Sequence, residues 1–296
     1  MTEATNLKIL FVINPISGTK AKIAWEPAIR NYFINLQHSF DFFLLDGKDD
    51  ATSLQYWIEK LQPDRVIAVG GDGTVSLVAE QLLGKNIAMG ILPAGSANGM
   101  AKELDIPIDV DRALDIIING DIKPCDAIRI NDKEICLHLS DLGFNAQLVK
   151  YFEQGNFRGK FGYALKVFKV LWRKRIMDVT IQTNKEEIKR RAFMVVIANA
   201  SKYGTGALIN PEGDLDDGLF EIVVVRRIHF LSIIKMFLKF KRFNPKKVEL
   251  FQAESAVITT VKKAHFQVDG EYLGRVTNVK AQILKAQLKL ILPNKS

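Results

Sequence analysis

The stretch that decides the fold is RVIAVGGDGT, residues 65–74. Its first part, Arg65–Val69, is a mainly apolar run of strand length, which is typical of a strand buried in a parallel sheet. Gly70-Gly71-Asp72-Gly73-Thr74 follows at once and leads into a helical pattern at Thr74–Leu83. Because ligands of open α/β sheets bind beyond the carboxyl ends of the strands, this glycine-rich turn is a candidate binding site.

The same alternation of strand and helix extends on both sides of this stretch. Further strands are predicted at Lys8–Ile13, Phe40–Leu45 and Ile87–Leu92. Helices are predicted up to about Leu36 and at Ala51–Leu61, Thr74–Leu83, Ser96–Leu104 and Val110–Ile118. Regular alternation of this kind predicts a parallel sheet with helices on its faces.

After about Pro124 the pattern changes to strands separated by turns. Strands are predicted at Ala127–Ile130, Ile135–Leu139, Val179–Thr183, Phe193–Ala198, Leu219–Val225, Val257–Val261 and His265–Val268. Asn131-Asp132 and Asn184-Lys185 are typical hairpin turns. The sequence therefore predicts a second, mainly antiparallel β domain with two helical insertions, and a last strand, Leu288–Leu292, that fits either domain.

The positive charge of the chain is concentrated in those two insertions. Arg158–Arg175 holds seven basic residues and Arg226–Lys247 holds eight, with no acid in either. The two segments together carry a charge of +15, whereas the whole chain carries +8. The remainder of the chain therefore carries −7. Apolar residues recur at helical spacing in both segments, and a core-facing stripe is the commoner explanation. The absence of acids favours contact with an anionic membrane surface, and no nucleic-acid-binding motif accompanies it.

Cysteine content and hydropathy predict a reduced, cytoplasmic protein. Cys125 and Cys136 are too few for a disulfide framework and are expected to fill apolar space in strands. No apolar run reaches the length of a spanning helix. We therefore expect any membrane association to be peripheral.

Two further turns follow parallel strands of the first domain. Asn14-Pro15-Ile16-Ser17-Gly18 comes after the first strand, and LPAGSANG, residues 92–99, comes at the end of the fourth. Glycines allow a phosphate to approach the backbone, and a helix N-terminus offers free N–H groups. Ordinary tight turns are the alternative, but three turns at one edge of a sheet favour a nucleotide site. The carboxylate of Asp72 is suited to bind Mg²⁺ or to accept the proton of a reacting hydroxyl.

The second half contains two acidic clusters that permit two interpretations each. Asp214–Leu219 is either a solvated acidic turn or a ligand set for a hard cation. Asp269-Gly270-Glu271 is either a hairpin turn, since Asp-Gly is a common turn pair, or a general base with a supporting acid.

Taken together, these motifs resemble the diacylglycerol kinase catalytic-domain family, whose members include soluble bacterial lipid kinases and relatives of sphingosine and ceramide kinases. The resemblance implies a nucleotide-binding α/β domain over residues 1–124 plus a C-terminal segment at about 285–296. It implies a β-rich lipid-substrate domain over 125–284, with the active site in the cleft between the domains. The implied activity is an ATP-dependent lipid kinase acting on a diacylglycerol- or sphingoid-like lipid, with a homodimer left open.

The resemblance also implies roles for individual residues. Asp72 would organise the catalytic Mg²⁺, Asp269 would accept the proton of the lipid hydroxyl, and Glu271 would support it. Asp214, Asp217 and the carbonyl of Leu219 would hold a structural Mg²⁺. ATP would be bound by Asn14, Ser17, Gly18, Gly70, Gly71, Gly73, Thr74, Gly95, Ser96 and Asn98.

Two departures from the family pattern leave the lipid class open. Ser96, where many relatives have threonine, leans toward the sphingoid and ceramide branch. Gln147 stands where sphingosine kinases place an aspartate for the lipid head group. The alternatives are an NAD kinase-like enzyme, whose later Thr-Pro-Thr-Gly-Ser motif is missing from the sequence, and a module that binds nucleotide or lipid without turnover.

Overall fold

The computed structural model describes residues 6–17, 25–143, 146–147, 176–200, 213–226 and 248–294. The chain divides into two compact units, Met1–Cys125 with Ala286–Ser296, and Asp126–Lys285. The predicted fold class, a parallel α/β part followed by a mainly antiparallel β part, is confirmed.

The first unit is built on a parallel sheet. Its strands are β1 (Lys8–Ile13), β2 (Ser39–Leu44), β3 (Arg65–Gly70) and β4 (Ala88–Pro93). Its helices are α1 (Trp25–Phe33), α2 (Asp50–Leu61), α3 (Asp72–Leu82), α4 (Gly99–Glu103) and α5 (Val110–Asn119). The strand order is β2-β1-β3-β4, and the C-terminal strand adds a fifth parallel neighbour through Lys289 beside Ala88.

Burial explains why these elements could be recognised in the sequence. Val66–Val69 and most of β1 and β4 are fully buried, so each strand is an apolar run. Helix α5 starts at an N-cap, where the side chain of Asp109 accepts the N–H of Arg112 at 3.0 Å. The predicted helix Ser96–Leu104 is shorter than expected. It begins only at Gly99, because Asn98 adopts a left-handed backbone with φ 49°.

The second unit consists of antiparallel strands. They are β5 (Asp121–Ile130), β6 (Glu134–Cys136), β7 (Leu139–Gly143), β8 (Met177–Thr183), β9 (Glu187–Ala192), β10 (Met194–Ala198), β11 (Phe220–Val225), β12 (Val248–Ala253), β13 (Ser255–Val268) and β14 (Glu271–Leu292). The order is β12-β11-β10-β7-β13-β14, with the β8–β9 hairpin added to β13 and the β5–β6 hairpin added to β14. Strands β5 and β14 contribute residues to both units. One cluster of buried apolar side chains forms the core of this unit.

The sequence predicted this part less completely. The single strand expected at Ile135–Leu139 is divided between β6 and β7, and the two expected at Val257–Val261 and His265–Val268 are one strand, β13, with a register shift. Strands β9 and β12 were missed, because both are rich in charged or half-exposed residues. The predicted hairpin turn Asn131-Asp132 is confirmed, with φ of 51° and 59°.

Several predictions concern residues outside the described ranges. These are the predictions for Gly18 and for both basic segments except Arg226. Within the described part of the chain, no helix has the length and hydropathy of a membrane span. Cys125 and Cys136 are buried free thiols, as expected.

Candidate active site

The three predicted turns meet at one edge of the parallel sheet. Strands β1, β3 and β4 are direct neighbours and end side by side, with Ile13 opposite Val69 and Gly70 opposite Pro93. Backbone hydrogen bonds join the turns that follow. Asn14 N–H donates to the Val69 carbonyl at 3.0 Å, and Ala94 N–H donates to the Gly70 carbonyl at 2.8 Å. The convergence predicted from the sequence is therefore present in this unit.

The second and third turns touch through their backbones at two glycines. A Cβ atom added to Gly95 would lie 2.4 Å from Cα of Gly71 and 2.8 Å from Oδ1 of Asn98. A Cβ atom at Gly70 would lie 2.2 Å from Oγ1 of Thr74. Glycine is required at position 95 because two backbone segments approach closely there, and at position 70 because the Thr74 side chain fills the space.

Polar side chains hold each turn in shape. Asn14 Nδ2 donates to Thr74 Oγ1 at 3.3 Å, and Asn14 Oδ1 accepts the N–H of Ile16 at 3.1 Å. Ser17 Oγ donates to the Asn14 carbonyl at 2.8 Å. Asn98 Oδ1 accepts the N–H of Gly95 at 2.8 Å. Asn14, Thr74 and Asn98 thus form the framework of the turns.

Two other members of the predicted nucleotide set reach the surface. Gly73 and Ser96 are exposed, whereas Thr74 and Asn98 are buried. The exposed members can touch a ligand directly, and the buried ones can act only by shaping the backbone that does so.

Asp72 is the first residue of helix α3. Gly71 is the N-cap residue and has an extended backbone, and the helix N-terminus favours a carboxylate at this position. Asp72 Oδ1 accepts the N–H of Met100 at 3.1 Å, which links α3 to α4. Across the described ranges, Oδ2 has no hydrogen-bond partner. One oxygen of Asp72 is therefore structural, and the other remains available to a cation or a hydroxyl.

The acidic turn of the second unit carries closely spaced carboxylates. A side-chain hydrogen bond to Asp214 raises the pKa of Asp216, and burial together with the charges of Asp214, Asp126 and Asp217 adds to the shift. Asp217 Oδ1 accepts the N–H of Leu219 at 2.9 Å. Carboxylates that must share a proton suit a hard cation, because a cation relieves the same repulsion.

No three His, Cys, Asp or Glu side chains among the described residues are grouped as metal ligands. The predicted set has only two carboxylates, Asp214 and Asp217, and takes its third ligand from the carbonyl of Leu219. The assignment of this turn to Mg²⁺ stays a prediction.

Asp126 belongs to the same acidic group and was missed in the sequence. It is 1% exposed, and its Oδ2 accepts the N–H of Gly218 at 2.7 Å. The carbonyl of Asp126 accepts Asn199 Nδ2 at 2.9 Å, and the same Nδ2 group donates to the Leu137 carbonyl at 3.1 Å. The available signal was a carboxylate inside the apolar run Cys125–Ile128, where a charge needs a partner.

Asp269 occupies a tight hairpin turn between β13 and β14. Val268 pairs with Glu271, and Asp269 and Gly270 have φ of 44° and 91°. The hairpin interpretation of Asp-Gly is therefore confirmed, and it does not exclude a catalytic role. Glu271 is exposed at the first position of β14.

The carboxylate of Asp269 is held by three successive backbone N–H groups. Oδ2 accepts the N–H of Leu137 at 2.8 Å, and Oδ1 accepts those of His138 at 3.1 Å and Leu139 at 2.9 Å. The Cys136 thiol lies 3.4 Å from Oδ1. Burial raises the pKa of Asp269, and the three N–H donors oppose that shift. Burial, followed by the charge of Asp269, raises the pKa of Cys136 well above its usual value, so the thiol stays protonated.

The surroundings of Asp269 contain buried polar groups that no sequence motif marked. Gln267 Oε1 accepts the N–H of Gly270 at 2.7 Å, and Gln267 Nε2 donates to Oδ2 of the buried Asp141. In the part of the chain that the structure describes, His138 Nε2 and Asn199 Oδ1 are buried without a hydrogen-bond partner. The turn that carries Asp269 is thus anchored from several sides.

Comparison with known proteins places this arrangement in a family. Residues 8–130 match the diacylglycerol kinase catalytic domain, and residues 140–292, more than half of the chain, match the YegS C-terminal NAD kinase beta sandwich-like domain. The chain is 26% identical to a diacylglycerol kinase of Staphylococcus saprophyticus, over 96% of this chain and 94% of the relative. It is 30% identical to an uncharacterized protein of Synechocystis, over 95% of this chain and 69% of that protein.

Solved structures agree at the level of the fold. A diacylglycerol kinase structure from Bacillus anthracis superposes with a TM-score of 0.73 at 20% identity, over 97% of both chains. A second structure from that organism superposes with a TM-score of 0.78 at 22% identity, over 96% of both chains. With both domain families matched in order along the chain, this protein belongs to the diacylglycerol kinase family of lipid kinases.

Proposed function

We propose that this chain transfers the γ-phosphoryl group of ATP to a hydroxyl of a diacylglycerol- or sphingoid-like lipid. The observation that carries the proposal is the meeting of three turns at the carboxyl ends of β1, β3 and β4. The close contact between Gly71 and Gly95 holds the backbones of two turns together beside the N-terminus of α3, where helix N–H groups can bind a phosphate. This is the arrangement that phosphoryl transfer needs, since positioning and charge stabilisation supply most of its catalysis.

We assign different roles in ATP binding to the buried and the exposed residues of the turns. Asn14, Thr74 and Asn98 fix the backbone, so that the N–H groups at the start of α3 can approach the phosphates. Gly73 and Ser96 lie at the surface and are the members we expect to contact ATP directly. Gly18 completes the predicted set and lies outside the described residues.

Mg²⁺ fits two places in this chain. The uncommitted Oδ2 of Asp72 is an oxygen ligand of the kind Mg²⁺ prefers, and the crowded carboxylates Asp214 and Asp217 offer a second, structural position. When bound with ATP, Mg²⁺ neutralises charge on the transferred phosphoryl group. Asp72 would hold and orient that ion from the first turn of α3.

Asp269 is the proposed general base. Its Oδ1 is occupied by two N–H donors and faces the Cys136 thiol, whereas among the described residues its Oδ2 accepts only the N–H of Leu137. A lipid hydroxyl would therefore donate its proton to Oδ2. The raised pKa brings Asp269 closer to the range in which a base works well, and Glu271 follows two residues later as the supporting acid.

The deciding experiment incubates the protein with labelled ATP, Mg²⁺ and one acceptor at a time. The acceptors are diacylglycerol, sphingosine, ceramide and NAD, and the labelled product is identified by its mass. We expect label in one of the lipids. Label in NAD alone would assign the chain to the NAD kinase-like alternative, and ATP binding without any labelled product would indicate a module without turnover.

Two variants of Asp72 separate its structural oxygen from its proposed catalytic one. Asp72→Asn keeps a carbonyl oxygen that can accept the N–H of Met100, so we expect normal folding with turnover reduced about a hundredfold or more. Asp72→Ala removes both functions and should also lower the melting temperature. Asp72→Asn with near wild-type turnover would show that the charge of Asp72 has no part in the reaction.

A further inference from the structure

Strands β7 and β8 of the second unit lie one after the other along the same side of β13, and the ends that face each other mark one region of the sheet. Strand β7 pairs with Phe266–Val268 of β13, and β8 pairs with Ala256–Thr260 of the same strand. Strand β7 ends at Gly143 and β8 begins at Met177, and these two residues lie close together. A Cβ atom at Gly143 would be 2.8 Å from Cε of Met177.

Strand β13 bulges in this region. Its pairing with β14 shifts register between Thr259 and Ala264, and Oγ1 of the buried Thr260 donates to the Lys262 carbonyl at 2.9 Å. Val261 is 78% exposed, and Lys262 and Lys263 are exposed next to it. Neither lysine has an ion-pair partner in the described part of the chain. We refer to Val261–Lys263 as the β13 bulge.

The described residues that precede or follow the two basic segments in the chain lie near this same region. The segment 158–175 lies in the chain between Gly143 and Met177. The segment 226–247 starts after Val225, whose carbonyl accepts the N–H of Phe193 at 2.8 Å. The neighbouring Met194 pairs with both Val225 and Gly143. Gly143, Met177 and Val225 therefore lie near one another, and the bulge adds two positive charges beside Met177.

We propose that the β13 bulge is a docking surface for an anionic lipid membrane, with Val261 entering the interface and Lys262 and Lys263 facing the head groups. The inference rests on the proposed function, because it names the surface through which a lipid kinase would reach its substrate. A single exposed valine is ordinary on a protein surface. An exposed apolar residue followed by two exposed lysines, neither of which has an ion-pair partner among the described residues, is complementary to a negatively charged interface.

The charge part of the proposal is tested by co-sedimentation with vesicles, in the absence of ATP. The vesicles contain phosphatidylcholine alone or phosphatidylcholine with phosphatidylserine. Lys262→Ala/Lys263→Ala should lower partitioning to the anionic vesicles on the order of tenfold, since each lysine near an anionic surface contributes a factor of about five. Lys133→Ala/Lys185→Ala removes the same charge at the β5–β6 and β8–β9 turns and should bind like the wild type. Equal binding by both double variants would overturn the proposal.

The insertion of Val261 is tested with a polarity-sensitive dye attached to Val261→Cys, since Cys125 and Cys136 are buried. We expect a blue shift of the dye only when anionic vesicles are added. A dye at Ile108→Cys, an exposed apolar position of the first unit, should not respond. A blue shift before any vesicle is added would show that the chain itself covers the bulge, and the proposal would fail.

Turnover separates this surface from the proposed activity. A short-chain lipid acceptor dispersed without a bilayer should be phosphorylated equally by the wild type and by Lys262→Ala/Lys263→Ala. A wild type that binds vesicles through the bulge but phosphorylates no lipid would leave the surface standing and remove the proposed function. If the wild type phosphorylates lipid but the bulge variants bind vesicles as well as the wild type does, the proposed function stands and the proposed docking surface is refuted.

Discussion

Single glycines decide whether the candidate nucleotide site can form. In Gly95→Ala the added methyl group would lie 2.4 Å from Cα of Gly71, and a backbone atom cannot rotate away as a side chain can. We expect the two turns to separate, the free energy of unfolding to fall by about 1–3 kcal/mol, and ATP affinity to fall with it. Denaturant unfolding and calorimetric titration with ATP measure the two effects.

Gly47→Ala is the matched control, because no atom lies within 4 Å of the added methyl group. Its left-handed φ of 79° costs about 1 kcal/mol in stability, but ATP affinity should not change. Wild-type ATP affinity in Gly95→Ala would show that the contact between the two turns does not shape the nucleotide site.

The pH dependence of the reaction tests Asp269. A general base must be deprotonated, so kcat/KM should fall as the pH drops through the pKa of Asp269 in the free enzyme. Because burial raises that pKa, the acid limb should lie above the ordinary value of 3.8. The limb should disappear in Asp269→Asn, together with a loss of turnover on the order of 10²–10⁴.

Asp269→Asn should also lower the stability of the fold. An asparagine side chain keeps one accepting oxygen but replaces the other by an NH₂ group, which faces at least one of the backbone donors at Leu137–Leu139 and should cost about 1–3 kcal/mol of stability. Turnover is therefore to be compared at a temperature where unfolding curves show both proteins folded. An unchanged acid limb in Asp269→Asn would remove Asp269 as the base.

At the scale of elements, burial on both faces decided which strands could be predicted. Strands β1, β3 and β4 are apolar runs and were found with nearly correct ends. Strand β9, Glu187–Ala192, has one buried side and several charged residues, so its pattern was not distinguishable from a loop. Helix α4 was predicted too long, because propensity alone does not show that Asn98 takes a left-handed conformation.

The acidic turn before β11 is an element whose stability should depend on Mg²⁺. Thermal unfolding of the wild type should shift to higher temperature as MgCl₂ is added, and Asp214→Asn/Asp217→Asn should abolish that shift. Without Mg²⁺ the variant should be at least as stable as the wild type, because the repulsion between Asp214 and Asp216 is removed.

Asp132→Asn is the control for this turn, since Asp132 is an exposed acid in another hairpin turn of the same unit. It should keep the full response to MgCl₂. An equal Mg²⁺ response in Asp214→Asn/Asp217→Asn would place the stabilising cation elsewhere.

At the scale of the whole molecule, charge is distributed unevenly. The acid-free segments 158–175 and 226–247 carry +15, and the remainder carries −7. Turnover of lipid in anionic vesicles should therefore fall as salt is raised, because the Debye length shortens to about 10 Å at 0.1 M. Turnover of a short-chain acceptor without a bilayer should change little over the same range. Equal salt dependence in both assays would mean that salt acts on the reaction and not on membrane binding.

The sequence by itself determined the parallel and antiparallel parts, the three turns and the family, because these follow from short periodicities and contiguous motifs. Only the tertiary structure decided which distant groups meet. Gly71 touches Gly95, Asp72 holds Met100, and Asp269 is bound by the N–H groups of residues more than a hundred positions earlier. Such contacts depend on how strands are ordered and paired in a sheet, and no local pattern of residues records that order.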